Sequence, residues 1–151
     1  MKVNIAILTV TDTRTFENDK SGAILVKKIE EASHNLVDRK ICKDEKEDIK
    51  NILKTWINNK DIDVIITTGG TGLTGRDITP EAVNDIADKQ IPGFGEVFRT
   101  ISLKTVGTSS IQSRACAVLA NGKYVFALPG SSGGVTDAWA VSYTHLRAHE
   151  T

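Results

Sequence analysis

The residues best equipped for chemistry lie together at Thr67–Glu81, which reads TTGGTGLTGRDITPE. Gly69, Gly70, Gly72 and Gly75 free the backbone to turn sharply and to approach a ligand closely. Threonine hydroxyls stand between them, and Arg76-Asp77 sets one cation beside one anion. A loop of this kind between a strand and a helix is where α/β proteins commonly cradle phosphate. The chemistry indicated is binding of a phosphorylated small molecule. Gly70–Gly75 formally spells G-x-G-x-x-G, but the helix signal arrives only at Thr79-Pro80, not within the glycines, which removes the dinucleotide reading. No Gly-Lys-Ser/Thr follows, so the loop is not a Walker A motif either.

Two further loops carry similar residues. Thr11, Asp12 and Thr13, with Arg14, follow the apolar run Val3–Val10, and Pro129, Gly130 and Ser131 follow Lys123–Leu128. The elements that would hold these loops can be read from periodicity. Val3–Val10 is short and β-branched, as a central strand should be. Asp19 or Ser21 can cap a helix through Ile24, Leu25, Ile29 and Ala32. Asn35–Ile41 reads as a weaker strand. A helix opening near Asp44 then places Ile49, Ile52, Leu53, Trp56 and Ile57 on one face, which marks Trp56 as core. Ile62–Thr68 is a third strand leading into the glycine loop, and Thr79-Pro80-Glu81 reads as N-cap, first turn and dipole partner of the next helix. Pro92–Glu96 is a second glycine-containing turn before a short helix. Asn121-Gly122 between two apolar runs is a hairpin signal.

Alternation of this kind predicts a three-layer α/β/α fold with a mostly parallel sheet, the hairpin adding one antiparallel strand. Ligands in such sheets bind beyond the carboxyl ends of strands. The loops at Thr11–Arg14, Gly69–Asp77 and Pro129–Gly134 should therefore share one rim.

Composition narrows the class. The 151 residues suit one domain with a core of its own, and 19 cations balance 19 anions, so neither nucleic acid nor an anionic membrane is an expected partner. Cys42 and Cys116 make no disulfide framework and no metal-ligand spacing; Cys116, in an apolar run, reads as buried. Lys2 leads straight into an alternating strand rather than a signal sequence, and no apolar run nears the roughly 20 residues that span a bilayer. A reduced, cytoplasmic protein is expected. Four of the six arginines, Arg14, Arg76, Arg99 and Arg114, sit in or beside turns, a bias that suits bidentate contact with phosphate.

The glycine motif, with PGFGEVFR at Pro92–Arg99, Ser113-Arg114 and LPGS at Leu128–Ser131, resembles the MoaB/Mog family of molybdenum-cofactor biosynthesis, a module also found in the G domain of gephyrin. TVTDTR at Thr9–Arg14 and Asp19-Lys20-Ser21-Gly22 are similar to family positions too. The stretch GTSSIQSRA at Gly107–Ala115 looks more like MoaB than Mog. The resemblance implies adenylylation of molybdopterin: the pterin's terminal phosphate attacks the α-phosphate of Mg-ATP, giving molybdopterin-AMP and pyrophosphate. It assigns the catalytic and Mg²⁺-holding roles to Asp77 and Asp44. Substrate and nucleotide binding falls to Thr11, Asp12, Thr13, Gly69, Gly70, Thr71, Gly72, Ser113, Arg114, Pro129, Gly130 and Ser131. It implies a homotrimer or homohexamer and hand-over of the product to a molybdenum-insertion protein.

From the residues alone, each role has a plainer counterpart. Asp77 can be a turn residue, Asp44 a helix N-cap, Asp12 and Thr13 part of a turn, and Glu96 with Arg99 an internal ion pair at i, i+3. A non-catalytic molybdopterin binder and a self-associating scaffold are the rival functions on the same fold, and a general nucleotide hydrolase is the bland one. The sequence departs from the family in the flexible run Ser131-Ser132-Gly133-Gly134 and in the tail Val141–Thr151, VSYTHLRAHET. The tail reads as foreign sequence, setting the domain at residues 1–140, with 141–151 atypical. His145 and His149 in it stand at i, i+4, a spacing that could face a metal from a helix.

Overall fold

The computed structural model describes the backbone of residues 2–150 and the side chains of residues 2–142, so His145 and His149 lie outside the described side chains. Six strands form one sheet in the order β2-β1-β3-β6-β5-β4, with β1 at Asn4–Val10, β2 at Asn35–Cys42, β3 at Val64–Thr68, β4 at Lys89–Gln90, β5 at Cys116–Ala120 and β6 at Lys123–Leu128. β2, β1, β3 and β6 are parallel neighbours. β5 pairs antiparallel with both β6 and β4, so it alone runs against the rest. The expected sheet, mostly parallel with one reversed strand, is what forms.

Strand β1 shows why the sheet is covered on both faces. Side chains alternate across a strand, and here both sets are apolar. Ile5 and Ile7 pack with Leu25 and Ile29 of α1 (Lys20–Glu31), Phe94 and Phe98 of α4 (Pro92–Val106), and Val135 and Ala138 of α5 (Ser132–Glu150). Ala6, Leu8 and Val10 pack with Ile49, Leu53 and Trp56 of α2 (Lys46–Ile57) and Ala82 and Val83 of α3 (Thr79–Asp85). Ile5, Ile7, Leu8, Leu25, Ile29, Ile49 and Leu53 are fully buried, each worth about 1.5–3 kcal/mol in transfer free energy. Trp56 is core as expected, its indole N–H donating to Asp38 Oδ2 at 3.2 Å.

The helix starts sort the candidate caps. Asp19 caps α1, accepting from the Gly22 amide at 3.0 Å, whereas Ser21 turns its hydroxyl to Gly130 O. Asp44 does not cap α2; Glu45 occupies that position without a side-chain cap bond. Thr79 lies inside α3 and donates to Gly69 O at 2.9 Å, tying the helix to the loop instead of capping it. Asn121 and Gly122 both adopt positive φ, +50° and +77°, the geometry of a type I′ hairpin turn. Helix α4 begins at Pro92 itself, and the backbone of α5 is helical to Glu150. Among the described residues no helix is long and apolar enough to cross a membrane.

The register brings the site together. Thr9 of β1 stands opposite Thr68 of β3, and Thr68 opposite Leu128 of β6, so three strands end level. Val10 pairs with Cys42 of β2, which brings a fourth loop to the same rim.

Candidate functional site

The rim encloses an open cavity of ≈ 370 Å³ lined by Thr9, Val10, Thr11, Thr13, Arg14, Asp44, Thr68, Gly69, Gly70, Asp77, Gly130 and Ser131. The loops after β1, β3 and β6 do meet, and the loop after β2 adds Asp44.

The floor is backbone. Gly69 holds φ at +101°, and a Cβ there would fall 2.3 Å from Val10 O. Gly69 N donates to Leu128 O at 3.0 Å, and a Cβ on Gly130 would stand 3.2 Å from Gly69 Cα. The two loops touch through glycine. Thr68 donates its hydroxyl to Pro129 O at 2.7 Å, and Ser21 and Arg14 both donate to Gly130 O, at 2.5 and 3.3 Å, so that loop is held from three sides. Ser131 then starts α5: its hydroxyl accepts from Gly134 N at 3.1 Å as an N-cap does. This end of the cavity therefore pairs a helix N-terminus with the Arg14 guanidinium, and both favour an anion.

The opposite end is acidic. Asp77 accepts from the Thr74 amide at 2.9 Å and the Thr74 hydroxyl at 2.7 Å. Burial, the largest single influence, pushes its carboxyl up. The bonds from Thr74 and Gly72, with the charge of Arg114, outweigh it, so Asp77 sits below the ordinary carboxylate value. Asp44 goes the other way. Burial raises it first, then repulsion from Asp12 and Asp77, with Arg76 opposing. Asp12 is held low by its hydrogen bond from Arg76 and by the Asp44 amide, which donates to Asp12 Oδ1 at 3.1 Å. The two carboxylates on this cavity are therefore shifted in opposite directions, Asp77 down and Asp44 up.

The donor set at this end suits a divalent cation that keeps several waters or phosphate ligands. Asp44 and Asp77 supply two carboxylates to it, which is the number such a cation takes from protein. Among the described residues there is no group of three or more histidine, cysteine or acidic side chains of the kind that makes an all-protein metal cage.

Some expected residues lie elsewhere. Arg114 donates from Nε to Gly72 O at 2.8 Å and from its two terminal nitrogens to Glu81 Oε2 and Asp77 O, both at 2.5 Å; its amide donates to Thr71 O at 2.9 Å. It holds the glycine loop from behind, facing a separate cleft with Ser113, and Glu81 serves as its partner as well as a dipole anion. Thr71 and Gly72 belong to the loop's supported side; Thr71 is buried. Arg99 directs Nη1 to the carbonyls of Ser113 and Ala115, at 3.2 and 3.0 Å, in place of the i, i+3 pair with Glu96. Cys116 is half-buried, not enclosed. Sequence reasoning gave no role to Thr68, whose hydroxyl orients the third loop, and saw Arg14 only as one of several loop arginines. Their position at strand ends feeding the same rim was the available signal.

Comparison with known proteins follows the same lines. The family model described as "Probable molybdopterin binding domain" matches residues 6–148. Molybdenum cofactor biosynthesis protein B of Bacillus cereus is 47% identical over 135 residues, covering 89% of this chain and 80% of that protein. A crystal structure of a molybdenum cofactor biosynthesis protein B superposes with a TM-score of 0.90 at 41% identity, covering 100% of this chain and 98% of the other. The tungsten cofactor synthesizing protein MoaB from Pyrococcus furiosus gives 0.86 at 33% identity, covering 98% and 96%.

Proposed function

The chain belongs to the molybdenum cofactor biosynthesis family with this molybdopterin-binding domain, and we propose that it adenylylates molybdopterin with Mg-ATP. In the proposed reaction an oxygen of the pterin's terminal phosphate forms a bond to the α-phosphorus of ATP. The bond from that phosphorus to the bridging oxygen breaks, and pyrophosphate leaves. Little covalent help is needed from protein; the work is to align two polyanions and offset their repulsion.

The observation that carries this reading is the polarity of the rim cavity, with Arg14 and the N-terminus of α5 at one end and Asp44 and Asp77 at the other. The basic end would seat one phosphate. Gly69 and Gly70 leave the floor open for a second group to approach backbone amides. Asp44 and Asp77 would hold Mg²⁺, which when bound offsets phosphate charge and lowers the repulsion between the two substrates. Thr11 and Thr13 line the same mouth and offer hydroxyls to either substrate.

Self-association as a trimer or hexamer is part of this proposal. Val97, Leu103 and Val106 on α4, and Ile111 beyond it, are exposed apolar residues available to a contact between copies. Delivery of the product to a molybdenum-insertion protein would follow. The test is incubation of the protein with molybdopterin and Mg-ATP. Formation of molybdopterin-AMP with equimolar pyrophosphate is the expected result. Tight pterin binding without turnover would replace the enzyme by a passive binder, and phosphate release without pterin would replace it by a hydrolase. Light scattering on the same sample reads the assembly.

A further inference from the structure

Arg76 has a position that the proposed chemistry does not require of a simple loop residue. It stands next to Asp77 in the chain, yet its side chain reaches two other loops. Nε donates to Asp12 Oδ2 at 3.1 Å and Nη2 to Asp12 Oδ1 at 3.0 Å, a bidentate fork, while Nη1 meets Glu45 Oε1 at 2.9 Å. Asp12 in turn accepts the Asp44 amide on the same Oδ1. A continuous chain of bonds thus leads from the residue beside Asp77, through Asp12, to the backbone of Asp44. Asp44 and Asp77 line the same cavity, and this one guanidinium ties the loop that carries Asp77 to the loop that carries Asp44.

The connection adds little to stability. Arg76, Asp12 and Glu45 are 54%, 36% and 53% exposed, and ion pairs so open to water are screened and contribute little. Geometry is what such a fork supplies: a planar guanidinium fixes a carboxylate in two contacts where an ammonium would make one movable contact.

We propose that Arg76 is a positioning residue, locking the loops after β1 and β2 onto the glycine loop and so setting the separation of Asp44 and Asp77 for the cation they hold. This rests on the proposed assignment of those two carboxylates. Residues that orient metal-holding groups cost about ten- to a hundredfold in affinity or activity when removed, and the same range applies to Arg76.

The test compares wild-type protein with Arg76→Ala, Arg76→Lys and Asp12→Asn, using Mn²⁺ as the probe in electron paramagnetic resonance titrations and backbone amide exchange at Asp44 and Glu45 as a metal-free readout. Expected is a ten- to hundredfold loss of Mn²⁺ affinity in Arg76→Ala, faster exchange at both amides, and a melting temperature within a few degrees of wild type. Arg76→Lys should resemble Arg76→Ala, because it keeps the charge and loses the fork. Combining Arg76→Ala with Asp12→Asn should add nothing further, since both break one chain of bonds. Full retention of affinity and exchange rates in Arg76→Lys would reduce the residue to a point charge and overturn the proposal. Unchanged values in Arg76→Ala would overturn it outright while leaving the carboxylate assignment standing. If wild-type protein binds no Mn²⁺, both the assignment and the inference fall.

Discussion

Gly69→Ala is the most direct test of how the cavity floor is built. Gly69 sits at φ +101°, where a side chain is strained, and the new Cβ would meet Val10 O at 2.3 Å. The conformational part costs about 1–2 kcal/mol. The clash is with backbone of a central strand, which cannot swing aside as a flexible side chain would, and overpacking of that kind adds about 1–3 kcal/mol. Together the loss is about 2–5 kcal/mol, and at about 2–4 °C per kcal/mol for a chain of this size the midpoint should fall by about 4–20 °C. Gly75→Ala in the same motif is the control. Nothing lies within 4 Å of its Cβ position and its φ is not positive, so a change within about 1 kcal/mol is expected, in the stabilising direction if the shorter list of unfolded conformations dominates. Urea unfolding of both variants measures this. A Gly69→Ala protein within 1 kcal/mol of wild type, or a Gly75→Ala protein equally damaged, would refute the account of the floor.

Other outcomes follow from the same structure. Asp77→Asn should fold normally and lose most of the Mg-ATP-dependent product formation, read by pyrophosphate release; unchanged turnover removes its assigned role. Asp19 is buried and accepts from Thr9 Oγ1 at 2.6 Å, Gly22 N at 3.0 Å and Arg39 Nη2 at 3.2 Å, and Arg39 Nε has no partner. Asp19→Ala should therefore cost about 1–3 kcal/mol, from the lost helix cap and the buried hydroxyl left unpaired, the ion pair adding less because Arg39 is partly open to water, measured in urea. Burial, with Asp48 and Asp44 nearby, pushes the Cys42 thiol up to about 12, and burial pushes Cys116 up to about 11. Both folded values lie above the unfolded one, so the unfolded chain ionises first: their contribution is intact below about pH 8.5 and is lost as pH rises toward 11–12. Serine at both positions should flatten that alkaline decline in stability.

What could be read from the sequence was whatever a local period or a turn residue enforces. The β1 strand, the Asn121-Gly122 hairpin and a cap for α1 at Asp19 or Ser21 belong to that class. β4 escaped because Lys89-Gln90 has no period of its own and exists through pairing with β5. Thr79 looked like a cap because its local chemistry fits one; a carbonyl ten residues back, Gly69 O, took its hydroxyl instead. The site divides along the same line. The meeting of the three loops was legible from place, since strand ends decide where loops go, whereas Asp44 and Asp77 were singled out by the family resemblance and not by any local period. The roles of Arg76 and Arg114 were not legible, because each is set by partners far along the chain, Asp12 in one case and Gly72 and Glu81 in the other. Arginine type alone marked both for phosphate. The structure spends them on holding loops.

The glycine-to-glycine contact between Gly69 and Gly130 bears on how this protein can change over evolutionary time. Selection retunes a binding site by exchanging side chains, and here the base of the cavity offers none to exchange. New ligand preferences have room to arise at the mouth, among Arg14, Thr13 and Ser131, where a changed side chain meets no backbone wall. A designer faces the same division: libraries placed at the mouth should yield folded variants with altered recognition, and libraries placed at the base should yield few folded proteins.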